Sequence, residues 1–437
     1  MQTRRQFVLQ AAAARPRRPN LLFVLADQWR AQTLPSAGDN QLDAANLKRL
    51  AAEGVHFSRA YAGYPLCTPS RASLITGKFP HACAMPRNNL QLPAAEPSIA
   101  AELKKAGYAT GYIGKWHLDG EERPGFVPPG ARRRGFDYWA AFNRGHSYFR
   151  STYFRDDPAP VVVEGFEPEY QTGLAIDFIR RNKQNPWYLF LSWGPPHTPR
   201  TPPPDLKNHY DPRAFQLREN VPASYEEQAR GGHAGYYGLC TALDRLMGRL
   251  LKTLDEDGQT SDTIVVFTSD HGDMLGSHGL EFKNLPYEES ARIPLLIRHP
   301  RALRPGTVND MLVSNVDLMP TLLSLCGLTP PNQTQGRDLA ALLLSGKGPR
   351  PESIFAEGGM GGPREWRMLV RGFDKLVTGG DGEVTHLYNL AADPFEINNQ
   401  AAARAERRRK DELTTLLELW RRRTNDGRSA SGLKKRG

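Results

Sequence analysis

Uninterrupted apolar runs, separated by stretches of helical periodicity, constrain this chain more than any other feature. Asn20–Ala26 (NLLFVLA) is the first; Trp187–Trp193, Thr263–Thr268 and Pro294–Ile297 follow, and Thr110–Ile113 is a shorter one. A strand with no polar side is covered on both faces, so such runs read as buried strands of a parallel sheet. Between them, Leu239, Leu243, Leu246, Leu250 and Leu254 fall on one face of a long helix, and Ile99, Ala100 and Leu103 on a short one. Val316–Leu325 is a further helix, with Asp317 near its start and Gly327 as its stop. Strands alternating with helices predict an α/β fold with a mainly parallel central sheet sandwiched by helices.

Beyond residue 345 the pattern changes. Trp366–Val370, Lys375–Val377 and His386–Tyr388 are short and separated by Gly-rich turns, which predicts a small antiparallel sheet. Leu413, Leu416, Leu417 and Trp420 then mark one face of a terminal helix whose other face is basic. The division expected is 1–18 as a leader, 19–345 as the catalytic α/β domain and 346–437 as a C-terminal subdomain. Arg132–Phe154, rich in arginine and aromatics, has no clear period and reads as a long loop able to wall a pocket.

The formal net charge of +10 invites a nucleic-acid reading until it is located. Residues 1–18 hold five arginines and no acid, residues 401–437 hold twelve Lys/Arg against five Asp/Glu, and 19–400 carries −2. The basic excess is therefore in the tails, and no nucleic-acid partner is expected. Thr3-Arg4-Arg5-Gln6-Phe7-Val8-Leu9 resembles a twin-arginine export signal, which implies a periplasmic location. No run approaches the roughly 20 apolar residues of a membrane-spanning helix, and four cysteines do not make a disulfide scaffold.

The strand ends carry the chemistry. The first run leads into Asp27-Gln28, Thr263–Thr268 into Asp270-His271, Thr110–Ile113 into Lys115-Trp116-His117, and Trp187–Trp193 into His197. In open α/β sheets ligands bind outside the carboxyl ends of the strands. Carboxylates and an amide oxygen gathered there suit a hard divalent cation, Ca²⁺, Mg²⁺ or Mn²⁺. The stretch Pro65-Leu66-Cys67-Thr68-Pro69-Ser70-Arg71-Ala72-Ser73-Leu74-Ile75-Thr76-Gly77 adds a nucleophile. Pro69 suits a first helical position, which puts residue 67 just ahead of a helix over Ser70–Thr76, where negative charge is favoured. Arg71, one turn on, is placed to hold that nucleophile or a metal carboxylate.

This stretch resembles the signature of the type I sulfatases, in the alkaline-phosphatase superfamily. Gly111–His117 (GYIGKWH), Pro195-Pro196-His197, Thr268–Gly272 (TSDHG), Lys283 and Leu387–Glu396 extend the resemblance from about Asn20 to Gln400. The resemblance implies an alkaline-phosphatase-like fold and oxidation of Cys67 to Cα-formylglycine by a maturation enzyme. The hydrated aldehyde, a geminal diol, is then the nucleophile. It implies that Asp27, Gln28, Asp270 and His271 bind one divalent metal, Ca²⁺ first, with Mn²⁺ or Mg²⁺ as alternatives. Lys115 and His117 would hold the diol and assist breakdown of the sulfated intermediate. His197 and Lys283 would bind sulfate oxygens, one of them protonating the leaving oxygen. The expected substrate is a sulfated carbohydrate or similar small ester.

Two positions depart from the commonest pattern. Many members read Asp-Asp where this chain has Asp27-Gln28, and Asp-Asn where it has Asp270-His271. The Gln form also occurs in relatives acting on phosphonate monoesters, phosphodiesters or choline sulfate, which supplies the alternative activity. Cys83, Cys240 and Cys326 leave room for one disulfide, whose pairing spacing does not give.

Overall fold

The computed structural model describes residues 18–427. The expected leader thus lies, apart from Arg18, outside the described residues. The central sheet has eight strands in the spatial order Thr307–Asn309, Val55–Phe57, Leu295–Arg298, Thr263–Ser269, Asn20–Asp27, Trp187–Pro196, Ala109–Lys115 and Tyr138–Phe142. Five of them, from Thr263–Ser269 to Tyr138–Phe142, are mutually parallel.

The apolar runs are explained by burial on both sides. Along Asn20–Asp27, Leu21, Phe23 and Leu25 enter one core, while Leu22, Val24 and Ala26 enter the other. Ile264 and Val266 alternate in the same way with Val265 and Phe267. Each fully buried Leu, Val, Ile or Phe contributes about 1.5–3 kcal/mol, so both faces anchor the strands. The long helix Glu226–Glu256 covers one face through Tyr236, Leu243, Leu250 and Leu254, and the helices Ile99–Lys105 and Leu318–Leu325 cover the other. A capping box of Ser314 and Asp317 opens the segment leading into Leu318–Leu325, and Gly327 (φ 73°) follows it.

Two expectations need correction, and the question of a disulfide left open by the sequence is answered. Leu295–Arg298 is buried as expected but antiparallel to Thr263–Ser269. The chain leaves that strand at its carboxyl end, and among the described residues the only α-helix before the next strand of this sheet is Glu288–Ala291, with one 3-10 turn at Ser277–Gly279. Four residues rise about 6 Å, too little to carry the chain back across the sheet, so it re-enters at the same edge. Arg132–Phe154 is also not all loop, since Tyr138–Phe142 is the sheet's edge strand and Arg150–Tyr153 pairs with Val161–Glu164. All four cysteines are buried free thiols, so no disulfide forms.

The C-terminal antiparallel sheet is present and has four strands, Ser353–Gly358, Trp366–Arg371, Asp374–Gly379 and Val384–Asn389 in that order. Helix Arg407–Thr424 covers it through Leu413, Leu417 and Trp420, packed with Phe355, Leu369 and Leu376.

Candidate active site

Four adjacent parallel strands deliver predicted residues to one edge. Asp27 closes Asn20–Asp27, Lys115 closes Ala109–Lys115, Asp270 and His271 follow Thr263–Ser269, and His197 follows Trp187–Pro196. Neighbouring strands lie about 4.8 Å apart, so these side chains can meet. Helix Cys67–Thr76 enters from one face with all ten residues buried. It starts at Cys67, three residues earlier than the sequence indicates. Leu66 is the extended residue before it, and Pro69 sits within the first turn, where a missing N–H leaves no bond unmade. The free N–H of Thr68 donates to Asn88 Oδ1 at 3.0 Å.

Arg71 ties the ends of four strands together. Its Nε donates to Asp270 Oδ2 at 3.0 Å and NH2 to Asp27 Oδ2 at 3.1 Å. NH1 donates to Lys115 O and Ser192 Oγ, both at 2.8 Å. The guanidinium thus holds the carboxylates, the second of the two roles open to it. Lys115 is fully buried and donates from Nζ to Asp27 Oδ2 at 2.5 Å. Burial raises the Asp27 pKa, but Lys115 and Arg71 outweigh it and hold the group well below the usual carboxylate range.

The inner oxygens converge. Asp27 Oδ1 and Asp270 Oδ1 each lie 3.6 Å from His271 Nε2, and Cys67 Sγ lies 3.2 Å from the same nitrogen. One ligand-type atom from each of Asp27, Cys67, Asp270 and His271 falls within 4.8 Å of the others. His271 Nδ1 donates to Gly272 O at 3.0 Å, which leaves Nε2 as the lone-pair nitrogen facing the cluster. Two carboxylate oxygens and an imidazole lone pair on one point form a donor set that fits a divalent cation. Gln28 Nε2 donates to Asp273 Oδ2 at 2.6 Å, which turns the amide oxygen toward Lys283 Nζ. Gln28 (φ 71°) and His117 (φ 57°) both have left-handed backbones, costing about 1–2 kcal/mol each. Such strain gathers where function fixes a side chain.

Cys67 opens into a pocket of about 200 Å³ that His117, His197 and Lys283 also line. His197 donates from Nδ1 to Thr198 O at 2.8 Å and accepts from Lys283 Nζ at 2.6 Å through Nε2. Burial, opposed by Asp27 and aided by Lys283 and Lys115, brings its pKa to about 3, so the ring is neutral. His117 Nε2 donates to Asn89 Oδ1 at 2.9 Å, while Nδ1 is buried with no partner among the described residues. Burial with Lys115 and Arg71 pushes the His117 pKa well down. His117 therefore keeps an unshared lone pair at Nδ1 and lines the same pocket as Cys67. A larger surface hollow, about 790 Å³ at Arg59, Arg350 and Phe373, contains none of these residues.

Several contributors escape the sequence reading. Asp273, which orients Gln28, lies only three residues beyond Asp270, and that spacing was an available signal. Asn88 and Asn89 sit in an irregular loop with no periodic signal, as does Arg123 at the pocket's edge. Within the arginine-rich segment only Arg144, Gly145 and His146 line the pocket. Arg132 binds Asp119, Arg133 binds Asp156 and Val127 O, and Arg134 binds backbone carbonyls, so those three brace loops instead. His278 stacks on Tyr287, with ring centroids 4.1 Å apart.

Cations arranged around a buried sulfur, above a donor set for a divalent ion, are what a hydrolase of anionic esters requires. The chain belongs to the sulfatase family: the family model described as Sulfatase matches residues 19–328. It is a type I sulfatase of the alkaline phosphatase superfamily, a sulfuric ester hydrolase. An ulvan-active sulfatase of Formosa agariphila is 37% identical over 77% of this chain and 67% of its own length. A solved structure in complex with its substrate D-glucosamine-2-N,6-O-disulfate has a TM-score of 0.86 at 24% identity, covering 95% of this chain and 100% of the other. The phosphonate monoester hydrolase of Agrobacterium radiobacter shares the fold with a TM-score of 0.77 at 24% identity, covering 93% and 96%. The fold alone therefore does not separate sulfate esters from phosphonate esters.

Proposed function

We propose that this chain removes sulfate from a sulfated carbohydrate, using residue 67 as nucleophile after its conversion to formylglycine. The observation that carries the reading is the convergence of Asp27, Asp270 and His271 on Cys67 Sγ at the floor of a pocket with no carboxylate in its lining among the described residues. The hydrated aldehyde would supply the attacking oxygen, and a divalent cation held by Asp27, Gln28, Asp270 and His271 would favour its ionised form and offset the sulfate charge. Around that centre the chain's own groups divide the work. Arg71 and Lys115 keep Asp27 ionised and fixed. Lys283 donates toward the sulfate and gives up the proton that the leaving oxygen takes, while the neutral His197 accepts from Lys283 through Nε2 and holds it in place. His117 takes a proton at Nδ1 when sulfate is expelled from residue 67.

The relatives support a glycan substrate, since one is ulvan-active and another was solved with a sulfated glucosamine. Gln28, which removes a negative charge from the cation site, favours a second reading, hydrolysis of phosphonate monoesters or phosphodiesters. Choline sulfate, a zwitterion whose alcohol part carries a quaternary ammonium, fits poorly with a pocket holding Arg123, Arg144 and Lys283. Rates on 4-nitrophenyl sulfate and on an aryl phosphonate monoester decide between the readings. Higher kcat/KM on the sulfate is expected, with Cys67→Ala inactive on both; preference for the phosphonate would overturn the proposal. A maturation enzyme acting on Cys67 and export through the twin-arginine segment belong to the same reading, and fractionation of the producing cells tests the location.

A further inference from the structure

Two arginines at the Cys67 pocket have no part in the chemistry assigned above. We propose that Arg123 and Arg144 form a subsite for a second anionic group of the substrate, a carboxylate or a further sulfate. The preferred ester then carries two anionic groups. The inference rests on the sulfatase reading of this pocket and narrows its substrate class.

Both residues line the pocket together with Cys67, His197 and Lys283. They come from two turns locked side by side. Arg144 N donates to Pro124 O at 3.0 Å and Asn143 N to Gly125 O at 3.1 Å. Asn143 Nδ2 donates to Gly120 O at 3.0 Å and to Glu122 O at 3.1 Å. The backbone under both guanidinium groups is therefore held in place before any ligand arrives. Neither side chain makes an ion pair or hydrogen bond with another described residue, and Arg144 Nε is buried without a partner. Their neighbours behave differently, since Arg132 and Arg133 each have an aspartate.

An arginine pair without acids, next to Lys283, repels itself and is relieved by an anion lodged between its members. Guanidinium groups take carboxylate and sulfate oxygens in forked pairs, which gives direction as well as charge. A single scissile sulfate, already met by Lys283 and His197, does not need them.

The test measures sulfate release from sulfated disaccharides that differ only in a uronic carboxylate or a second sulfate, with 4-nitrophenyl sulfate as the singly charged reference. The wild type is expected to favour the doubly anionic sugars by about tenfold or more in kcat/KM, mainly through KM. Arg123→Gln, Arg144→Gln and the double variant should erase that ratio, and Arg144→Lys should restore part of it, which separates lost charge from lost folding. Preference for the carboxylate or the sulfate arm identifies the group bound. Equal efficiency on singly and doubly charged sugars, or a ratio unchanged in the double variant, would overturn the subsite. No sulfate release from any ester, 4-nitrophenyl sulfate included, would overturn the sulfatase reading beneath it.

Discussion

Arg71 uses four N–H groups to hold two buried carboxylates, a strand-end carbonyl and Ser192 Oγ. Replacing it with Gln leaves Asp27 and Asp270 short of compensation in a dry site, where breaking a buried pair costs about 3–5 kcal/mol. We expect Arg71→Gln to lower the calorimetric unfolding midpoint and to abolish sulfate release together. Asn89 is a gentler probe. It lines the pocket and supplies the acceptor that fixes the His117 tautomer. Asn89 has a left-handed backbone (φ 65°) that glycine adopts freely. General-base catalysis is worth about 10²–10⁴ in rate, so under the role proposed for His117, Asn89→Gly should lower kcat by about tenfold to a hundredfold while the unfolding midpoint barely moves. Of these two residues, Arg71 was legible because it sits within a signature stretch. Asn89 was not, because it meets His117 across 28 residues of irregular chain.

At the scale of elements, the strands that form the site were readable wherever both faces are buried. Tyr138–Phe142 escaped because it is short and aromatic, at the sheet edge, and its flanking arginines suggest a loop. Gly114 explains how Ala109–Lys115 lies so close to Trp187–Pro196. It has φ 101°, and a Cβ there would sit 2.1 Å from Ser192 O. Gly114→Ala should therefore destabilise the protein by at least about 2 kcal/mol and misplace Lys115, as read by chemical denaturation and kcat. His81 joins the body to the C-terminal elements. Nδ1 lies 2.8 Å from Glu357 Oε2 and Nε2 lies 2.9 Å from Thr424 O, both acceptors, so the ring is doubly protonated. Burial opposes the charge, but Glu357 and Thr424 O raise the pKa above 6.5. The stabilisation is thus fully present below pH 6.5 and is lost as pH rises through the higher folded-state pKa. Wild-type stability should fall over that window relative to His81→Leu, whose pH profile should be flatter.

Over the whole molecule, the α/β class and the C-terminal sheet followed from periodicity, and the site's location followed from where the parallel strands end. The antiparallel Leu295–Arg298 did not, because strand direction depends on how far the intervening chain travels, and apolar pattern is silent on that. The site gathers residues from positions 27 to 283, so a cation bound there would link distant parts of the fold. Chelation should lower the unfolding midpoint and activity together, and Ca²⁺ should restore both. At a free-ion concentration a hundred times Kd, the linkage is worth about 2.7 kcal/mol. The most direct test of the central claim is the mass of the peptide containing residue 67, taken from fully active protein co-produced with a maturation enzyme. The aldehyde in place of the thiol, in proportion to activity, is the predicted result. Unmodified cysteine in protein of full activity would contradict it.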